Sequence, residues 1–234
     1  MNDSAAASFD GAHPYFPLGI AMPGYAPNTI ASPMLVAYFA AGSAAILTTA
    51  LAIISRVRPG LARGDVLTAL WFTLCGCIHF FFEGYFAYNF DRMPARLDLF
   101  GQLWKEYSLS DSRYLTQDSF VVTMEAITAI FWGPLSFLCV YCIVFSHPLR
   151  HPLQLIISLG QLYGDVLYYA TCTFAALVDG IHFCRPEDFY FYAYYVLCNA
   201  FWIVIPFMLI MSSVKATKAA FAQVQAAEKT KKGL

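Results

Sequence analysis

The chain has 234 residues, of which 59% are hydrophobic, 17% aromatic and 12% charged, and its formal net charge is −1. Because ordinary soluble domains carry about a quarter charged residues, this composition excludes a typical soluble domain. Nothing in it points to a nucleic-acid partner.

The apolar residues fall into five blocks, each long enough to span a bilayer core of about 30 Å. We therefore predict an all-α integral membrane protein with five transmembrane helices. These helices are expected to form a bundle with an intramembrane ligand cavity. The predicted spans are 33–55, 66–89, 119–146, 152–174 and 188–213.

The connections divide the chain into four parts. The longest one, residues 90–118, is rich in charge and in aromatic residues, and a loop of this length in a small protein is more often functional than idle. Trp104 lies in this connection and is predicted to close over the cavity and contact a substrate. The four parts are a polar N-terminal segment (1–32), the first helix with its loop (33–63), a four-helix core (64–212) and a polar tail (213–234).

The basic residues predict the orientation in the membrane. Nine of the fourteen Lys and Arg residues fall on one side of the five-span arrangement, which the positive-inside rule makes cytoplasmic. The C-terminus is then cytoplasmic and the N-terminus lumenal, and the ending Lys231-Lys232-Gly233-Leu234 matches the dilysine signal of endoplasmic reticulum membrane proteins. The nine are Arg56, Arg58, Arg63, Arg150, Lys215, Lys218, Lys229, Lys231 and Lys232.

Ionisable residues occur inside the predicted spans, where each costs several kcal/mol unless it faces a bundle interior or a cavity. His79 and Glu83 are four residues apart and share a helix face. Glu125 shares a face with Thr128 and Trp132 in the next span. A role limited to hydrogen bonds between helices is the alternative, but neutral side chains would serve it at a lower desolvation cost.

The fifth span repeats this spacing with Asn199 and Trp202. Three helices thus present polar stripes that suit one shared pocket. Within it, a buried glutamate beside a histidine can hold and move a proton. Glu125 supplies negative charge opposite a developing cation, and the Trp202 ring face attracts the same cation. These residues together predict proton transfer to and from an apolar substrate through a carbocation.

A metal site is the rival chemistry, since His79, Glu83 and Glu125 offer three ligands. The other four histidines fall in predicted loops, so we expect no metal. The chain also has no Gly-rich phosphate loop and no redox motif, and we expect no cofactor.

Several long segments strongly resemble the emopamil-binding protein family, in order and with similar spacing over residues 64–212. A further segment, "HPYFP" at 13–17, resembles the family's N-terminal region. The segments are "CGCIHFFFEGYF", "QLWKEYSLSDSRY", "VVTMEAITAIFWGPLS", "HPLRHPLQLIISLGQLYGDVLY" and "CNAFWIVIP".

The resemblance implies a five-helix membrane protein of the endoplasmic reticulum, often dimeric, that moves a sterol ring double bond from Δ8(9) to Δ7. It implies an isomerase that transposes C=C bonds and binds cationic amphiphilic amines as inhibitors. The implied catalytic residues are His79, Glu83, Glu125, Asn199 and Trp202. The implied pocket residues include Tyr114 and Thr128.

Two other functions remain open at this point. One is a non-catalytic membrane protein that binds sterols or cationic amphiphiles. The other is an isomerase of the same fold that acts on another polycyclic terpenoid.

Overall fold

The computed structural model describes residues 13–232, and within that range the regular structure is entirely helical. Residues 1–12 of the predicted N-terminal segment, and the last two residues of the dilysine motif, lie outside the described residues. The principal helices are α1 (Ser32–Val57), α2 (Arg63–Asn89), α3 (Leu99–Tyr107), α4 (Ser119–Val144), α5 (Arg150–Phe174) and α6 (Tyr190–Lys231).

Four of the described helices, α1, α2, α4 and α6, are long and apolar enough to cross a membrane. Helix α5 occupies the fourth predicted span but is not among them. Its buried face explains this, because polar side chains recur along it every three or four residues. They are Gln154, Ser158, Gln161 and Asp165.

Helix α6 extends well beyond the predicted span 188–213 and runs without a break to Lys231. The segment after 213 was predicted only as a polar tail. Its sequence "KATKAAFAQVQAAEKTKK" is rich in Ala, Lys, Gln and Glu, which have high helix propensity, so the helix continues although its last turns are exposed.

Aspartate caps begin the helices that border the predicted loop 90–118. The Asp98 carboxylate accepts a hydrogen bond from the Gly101 amide at the start of α3, and Asp118 accepts one from Val121 at the start of α4. These bonds satisfy amides that have no partner within the helix. The region that the sequence indicates as a long loop is therefore largely ordered around a short helix.

Close helix packing builds the centre of the bundle. Helices α2 and α4 approach each other at Gly133, where an added Cβ would lie 2.8 Å from the Phe80 Cβ. Helix α5 packs along α6, and the Gln154 amide donates to the Leu209 carbonyl at 3.0 Å. Helix α1 packs on α2 and α3 at the edge of the bundle, and only Leu35 and Ile54 along it are buried.

One end of the bundle is covered by residues 13–31 together with α3 and the turn that follows it (108–115), and we call this region the cap. The Gln102 side-chain oxygen accepts hydrogen bonds from the amides of Thr29 and Ile30 at 2.8 and 2.9 Å. The Lys105 ammonium donates to the Ala26 carbonyl at 2.5 Å. The N-terminal segment is thereby fixed onto α3 by backbone and side-chain bonds.

Candidate active site

A cavity of about 1240 Å³ lies beneath the cap, between α2, α4, α5 and α6, with α1 along one side. Its lining is mostly apolar, and a small number of polar groups converge in it. All nine residues predicted for the site line this cavity. They are His79, Glu83, Trp104, Tyr114, Glu125, Thr128, Trp132, Asn199 and Trp202.

Both helices that carry the acidic residues change their winding at the site. Helix α2 contains a π-helical stretch over Ile78–Glu83, and α4 contains one over Thr128–Trp132. The two stretches pack against each other. Because π-helical turns displace side chains from the regular α-helical register and often occur at functional sites, this local winding positions the polar groups.

His79 is the central hydrogen-bonding group of the site and is only 2% exposed. Its Nδ1 lies 2.7 Å from Glu83 Oε2, and its Nε2 lies 2.9 Å from the Gln161 amide nitrogen. When the Gln161 amide donates to Nε2, the Nδ1 proton points to Glu83. Gln161 therefore sets which ring nitrogen carries the proton.

A second acid, Glu125, comes from the facing helix α4. Its Oε1 accepts a hydrogen bond from the Tyr114 hydroxyl at 2.9 Å, and its carboxyl group is also within hydrogen-bonding reach of Glu83. The carboxyl groups of Glu125 and Glu83 and the imidazole of His79 are thus neighbours in one continuous row. Such a chain can hold a proton and pass it between its members.

Helix α6 contributes the opposite wall. The Asn199 side-chain amide donates to the Tyr195 carbonyl at 2.7 Å and to the Tyr107 hydroxyl at 3.1 Å. The ring of Trp202 lies edge-on to His79, with centroids 6.3 Å apart. The buried indole N–H of Trp202 has no partner among the described residues, so its polar edge is free to meet a ligand.

The remaining predicted residues shape the walls. Trp104 stacks on Phe82 with centroids 4.6 Å apart, and its indole donates to the Phe82 carbonyl at 3.0 Å. Thr128 donates to the carbonyl of Met124 in its own helix. The ring of Trp132 lies against Gly160, where a side chain would collide with it.

Two polar residues of α5 in the cavity were not predicted for the site. Gln161 contacts His79, although no sequence motif marks it. Asp165 also lines the cavity, and its buried Oδ2 has no partner among the described residues. Both share one face of α5, and a search for amphipathic spacing within that span identifies them.

No group of three or more His, Cys, Asp or Glu side chains in residues 13–232 is arranged to hold a metal ion. The site is an apolar cavity whose wall carries a row of groups that can hold and transfer a proton.

Comparison with known proteins supports an assignment for this site. Residues 99–213 match the family described as EBP: EXPERA (EXPanded EBP superfamily). A Mus musculus protein named 3-beta-hydroxysteroid-Delta(8),Delta(7)-isomerase is 41% identical over 207 residues, which cover 87% of each chain.

Plant proteins are similar as well. An Arabidopsis thaliana protein named probable 3-beta-hydroxysteroid-Delta(8),Delta(7)-isomerase is 34% identical over 224 residues, covering 94% of this chain and 97% of that protein. An Ailanthus altissima isomeliandiol synthase is 38% identical over 149 residues, covering 63% of this chain and 69% of that protein.

Proposed function

Because the chain belongs to the EXPERA (expanded EBP) superfamily, we propose that it is a sterol isomerase that moves a ring double bond from Δ8(9) to Δ7. The observation that carries this proposal is the meeting of His79, Glu83 and Glu125 in one apolar cavity. A volume of about 1240 Å³ suits a large polycyclic ligand, since pockets for drug-sized ligands measure about 300–1,000 Å³.

The protein is a multi-pass membrane protein, and we place it in the endoplasmic reticulum with five spans around an intramembrane cavity. Helix α5 is the fourth of these spans in chain order, and its polar face is tolerated because it is buried against α6 and the cavity. The cap then faces the lumen and the end of α6 faces the cytoplasm, in agreement with the distribution of basic residues. Assembly as a homodimer stays a prediction from the family resemblance.

The reaction begins with proton transfer to the substrate from the side of the cavity formed by His79 and Glu83. Addition of this proton to C9 uses the electron pair of the double bond and leaves a tertiary cation at C8. The Glu125 carboxylate stabilises this cation by charge. Loss of the C7 proton to a base among the same proton-transferring residues gives the Δ7 alkene. One proton therefore enters and one leaves without any redox change.

The wall formed by α6 completes the stabilisation of the cation. The Trp202 ring presents electron density, and an aromatic face close to a cation is worth about 2 kcal/mol when water is excluded. The Asn199 side-chain oxygen, close to the Tyr107 hydroxyl, adds a dipole on the same side. These groups are already oriented by their hydrogen bonds, and preorganised charge is the expected main source of rate.

A pocket that stabilises a carbocation should also bind cationic amphiphilic amines. Their ammonium group would lie between Glu83 and Glu125, and their apolar part would occupy the sterol position. Competition between such an amine and the sterol in a conversion assay tests this.

The direct test is conversion of a Δ8 sterol by the purified protein in heavy water. We expect a Δ7 product with one deuterium at C9, detected by mass spectrometry and NMR. A Δ7 product without deuterium at C9 would contradict the protonation step. No conversion of any Δ8 sterol would contradict the function itself.

A second candidate is an isomerase that acts on a different polycyclic terpenoid, and the similarity to isomeliandiol synthase favours it. Expression in a cell deficient in sterol isomerase separates the two. Restored Δ7 sterols support the sterol isomerase, whereas persistent Δ8 sterols with a correctly folded protein support the alternative.

A further inference from the structure

The cap carries a further acidic side chain that lines the same cavity. Glu106 lies on α3, is only 6% exposed, and borders the cavity beside Trp104 and Tyr107. The proposed proton chemistry does not use it. Its presence there needs a separate explanation.

The contacts of Glu106 leave its charge without a cationic partner. Its Oε2 accepts a hydrogen bond from the Ser32 hydroxyl at 2.8 Å, and its Oε1 accepts one from the Tyr194 hydroxyl at 3.0 Å. No Lys, Arg or His in residues 13–232 is within salt-bridge distance of it, and the adjacent Lys105 donates to Ala26 instead. Since each carboxylate oxygen can accept two hydrogen bonds, both oxygens can accept another donor.

Glu106 and Glu83 lie at different depths, which gives the cavity a direction. Ser32, which contacts Glu106, is the first residue of α1. Glu83 lies six residues before the end of α2 at Asn89, which places it about 9 Å further into the bundle at 1.5 Å per residue. Beyond that level the lining becomes aromatic and aliphatic. Residues there include Trp71, Leu74, Ile78, Trp132 and Ile205.

A sterol has the same order of groups along its length. Its one hydroxyl is on ring A, the reacting double bond is in ring B next to it, and the alkyl side chain is at the far end. In a bilayer the hydroxyl lies near the interface and the side chain near the middle. A sterol that enters with this orientation brings its hydroxyl to the cap and its double bond to the level of Glu83.

We propose that the Glu106 carboxylate accepts a hydrogen bond from the ring-A hydroxyl and thereby selects free 3-hydroxysterols as substrates. This proposal rests on the proposed isomerase function. A 3-ketone offers only an acceptor to a carboxylate that is itself an acceptor, and it should be rejected. An esterified sterol has no hydroxyl proton to donate and should be rejected as well.

The test compares three Δ8 substrates that differ only at C3: a hydroxyl, a ketone and a hydrogen. We expect the wild type to prefer the hydroxyl over the 3-deoxy compound by about tenfold to hundredfold in kcat/KM, because a hydrogen bond to a charged group is lost without it. Glu106→Leu should abolish this preference by lowering kcat/KM for the hydroxyl substrate to about the value for the 3-deoxy compound.

Glu106→Gln keeps the size of the side chain and adds an N–H donor. We expect it to improve the ketone relative to the hydroxyl substrate, a reversal that a merely structural role would not produce. Ser32→Ala is the matched control, since it removes one partner of Glu106 but retains the acceptor, and its preference for the hydroxyl should persist.

The outcomes separate the two proposals. If the wild type converts the hydroxyl and 3-deoxy substrates equally well, or if Glu106→Gln retains the wild-type order of all three, the assignment of Glu106 is wrong while the isomerase function stands. If the wild type converts none of the three, the isomerase function fails first. A poorly folded Glu106→Leu leaves the wild-type and Glu106→Gln comparisons decisive.

Discussion

The cap and the cavity wall both bury polar side chains, but they differ in whether those side chains have partners. In the cap, Asp111 and Arg113 form a buried ion pair with N–O distances of 2.6 to 3.0 Å. Gln102 and Lys105 also bond to backbone groups. Buried polar groups that are fully paired hold a structure together.

Along the wall formed by α5, by contrast, buried polar atoms lack partners among the described residues. The Gln161 side-chain oxygen, Asp165 Oδ2 and the Tyr168 hydroxyl are all in this state. Unpaired buried groups cost free energy, and a protein that keeps them there uses them for something besides stability. The contrast predicts that changes in the cap lower stability and that changes in the wall lower activity.

The largest expected effect is catalytic. Glu125→Gln should lower kcat by about a hundredfold to ten-thousandfold, because it removes the charge opposite the cation and a member of the proton chain. The thermal unfolding temperature should change little. Sterol conversion by the purified protein measures the loss, and Glu228→Gln, on the exposed end of α6, is the matched control. Near-normal turnover would remove Glu125 from the mechanism.

The next effect is on stability and belongs to the cap. Asp111→Ala leaves the buried Arg113 without its counter-ion and should cost about 3–5 kcal/mol of unfolding free energy. Thermal unfolding in detergent measures this as a large fall in Tm. Glu187→Ala breaks the more exposed pair with Arg185 and should change the Tm little. Equal effects of the two substitutions would contradict the comparison.

The pH dependence of stability should reveal a third effect. Burial lowers the pKa of Lys105 from 10.5 to about 8. Between these values the unfolded chain binds the proton that the folded chain has released, so the free energy of unfolding rises with pH. We expect Lys105 itself to contribute a rise on the order of 1–2 kcal/mol between pH 8 and pH 10, which is measured as the difference between the wild type and a variant without this lysine.

Lys105→Met should abolish this rise, and denaturation curves at several pH values provide the measurement. The comparison with the variant is needed because other groups act in the opposite direction. Burial raises the pKa of the Cys184 thiol to about 11, so its titration in the unfolded chain lowers stability over the same pH range. An identical slope in the wild type and the variant would show that another group causes it.

The smallest expected effect tests the hydrogen bond between Gln161 and His79. Gln161→Met should lower kcat about threefold to tenfold with little change in KM, because the imidazole loses the bond that sets its proton position. The bell-shaped pH dependence of kcat should also move. Gln154→Met, two turns away on the same face and outside the cavity lining, is the control. A change in KM alone would argue for a role in binding.

The location of the site was predictable from the sequence because it depends on helix periodicity. Charged and aromatic residues three, four and seven apart must share a face, and in an apolar helix that face must turn inward. The seven predicted residues on α2, α4 and α6 accordingly line the cavity. Trp104, predicted from the long connection, and Tyr114, implied by the family resemblance, line it as well. Their catalytic roles remain a prediction.

Other features could not be predicted from single helices. Gln161 becomes important only because α5 places it against His79, a contact between residues 82 positions apart. Lys105 is expected to be exposed by its residue type, yet the N-terminal segment covers it completely. The polar face of α5 is likewise tolerated because of what packs against it, whereas α6 continues past residue 213 because its exposed residues have high helix propensity.

The paired π-helical stretches in α2 and α4 have a consequence for how this protein tolerates length changes. Each stretch accommodates about one residue more than an α-helix of equal rise. Deleting one residue from Ile78–Glu83 would let that stretch relax into a regular helix of equal rise, so the faces before and after it should keep their relative orientation. Trp71 and Phe86 would then both still face the interior, but the spacing of His79 and Glu83 would change, so such a deletion should reduce activity far more than folding stability.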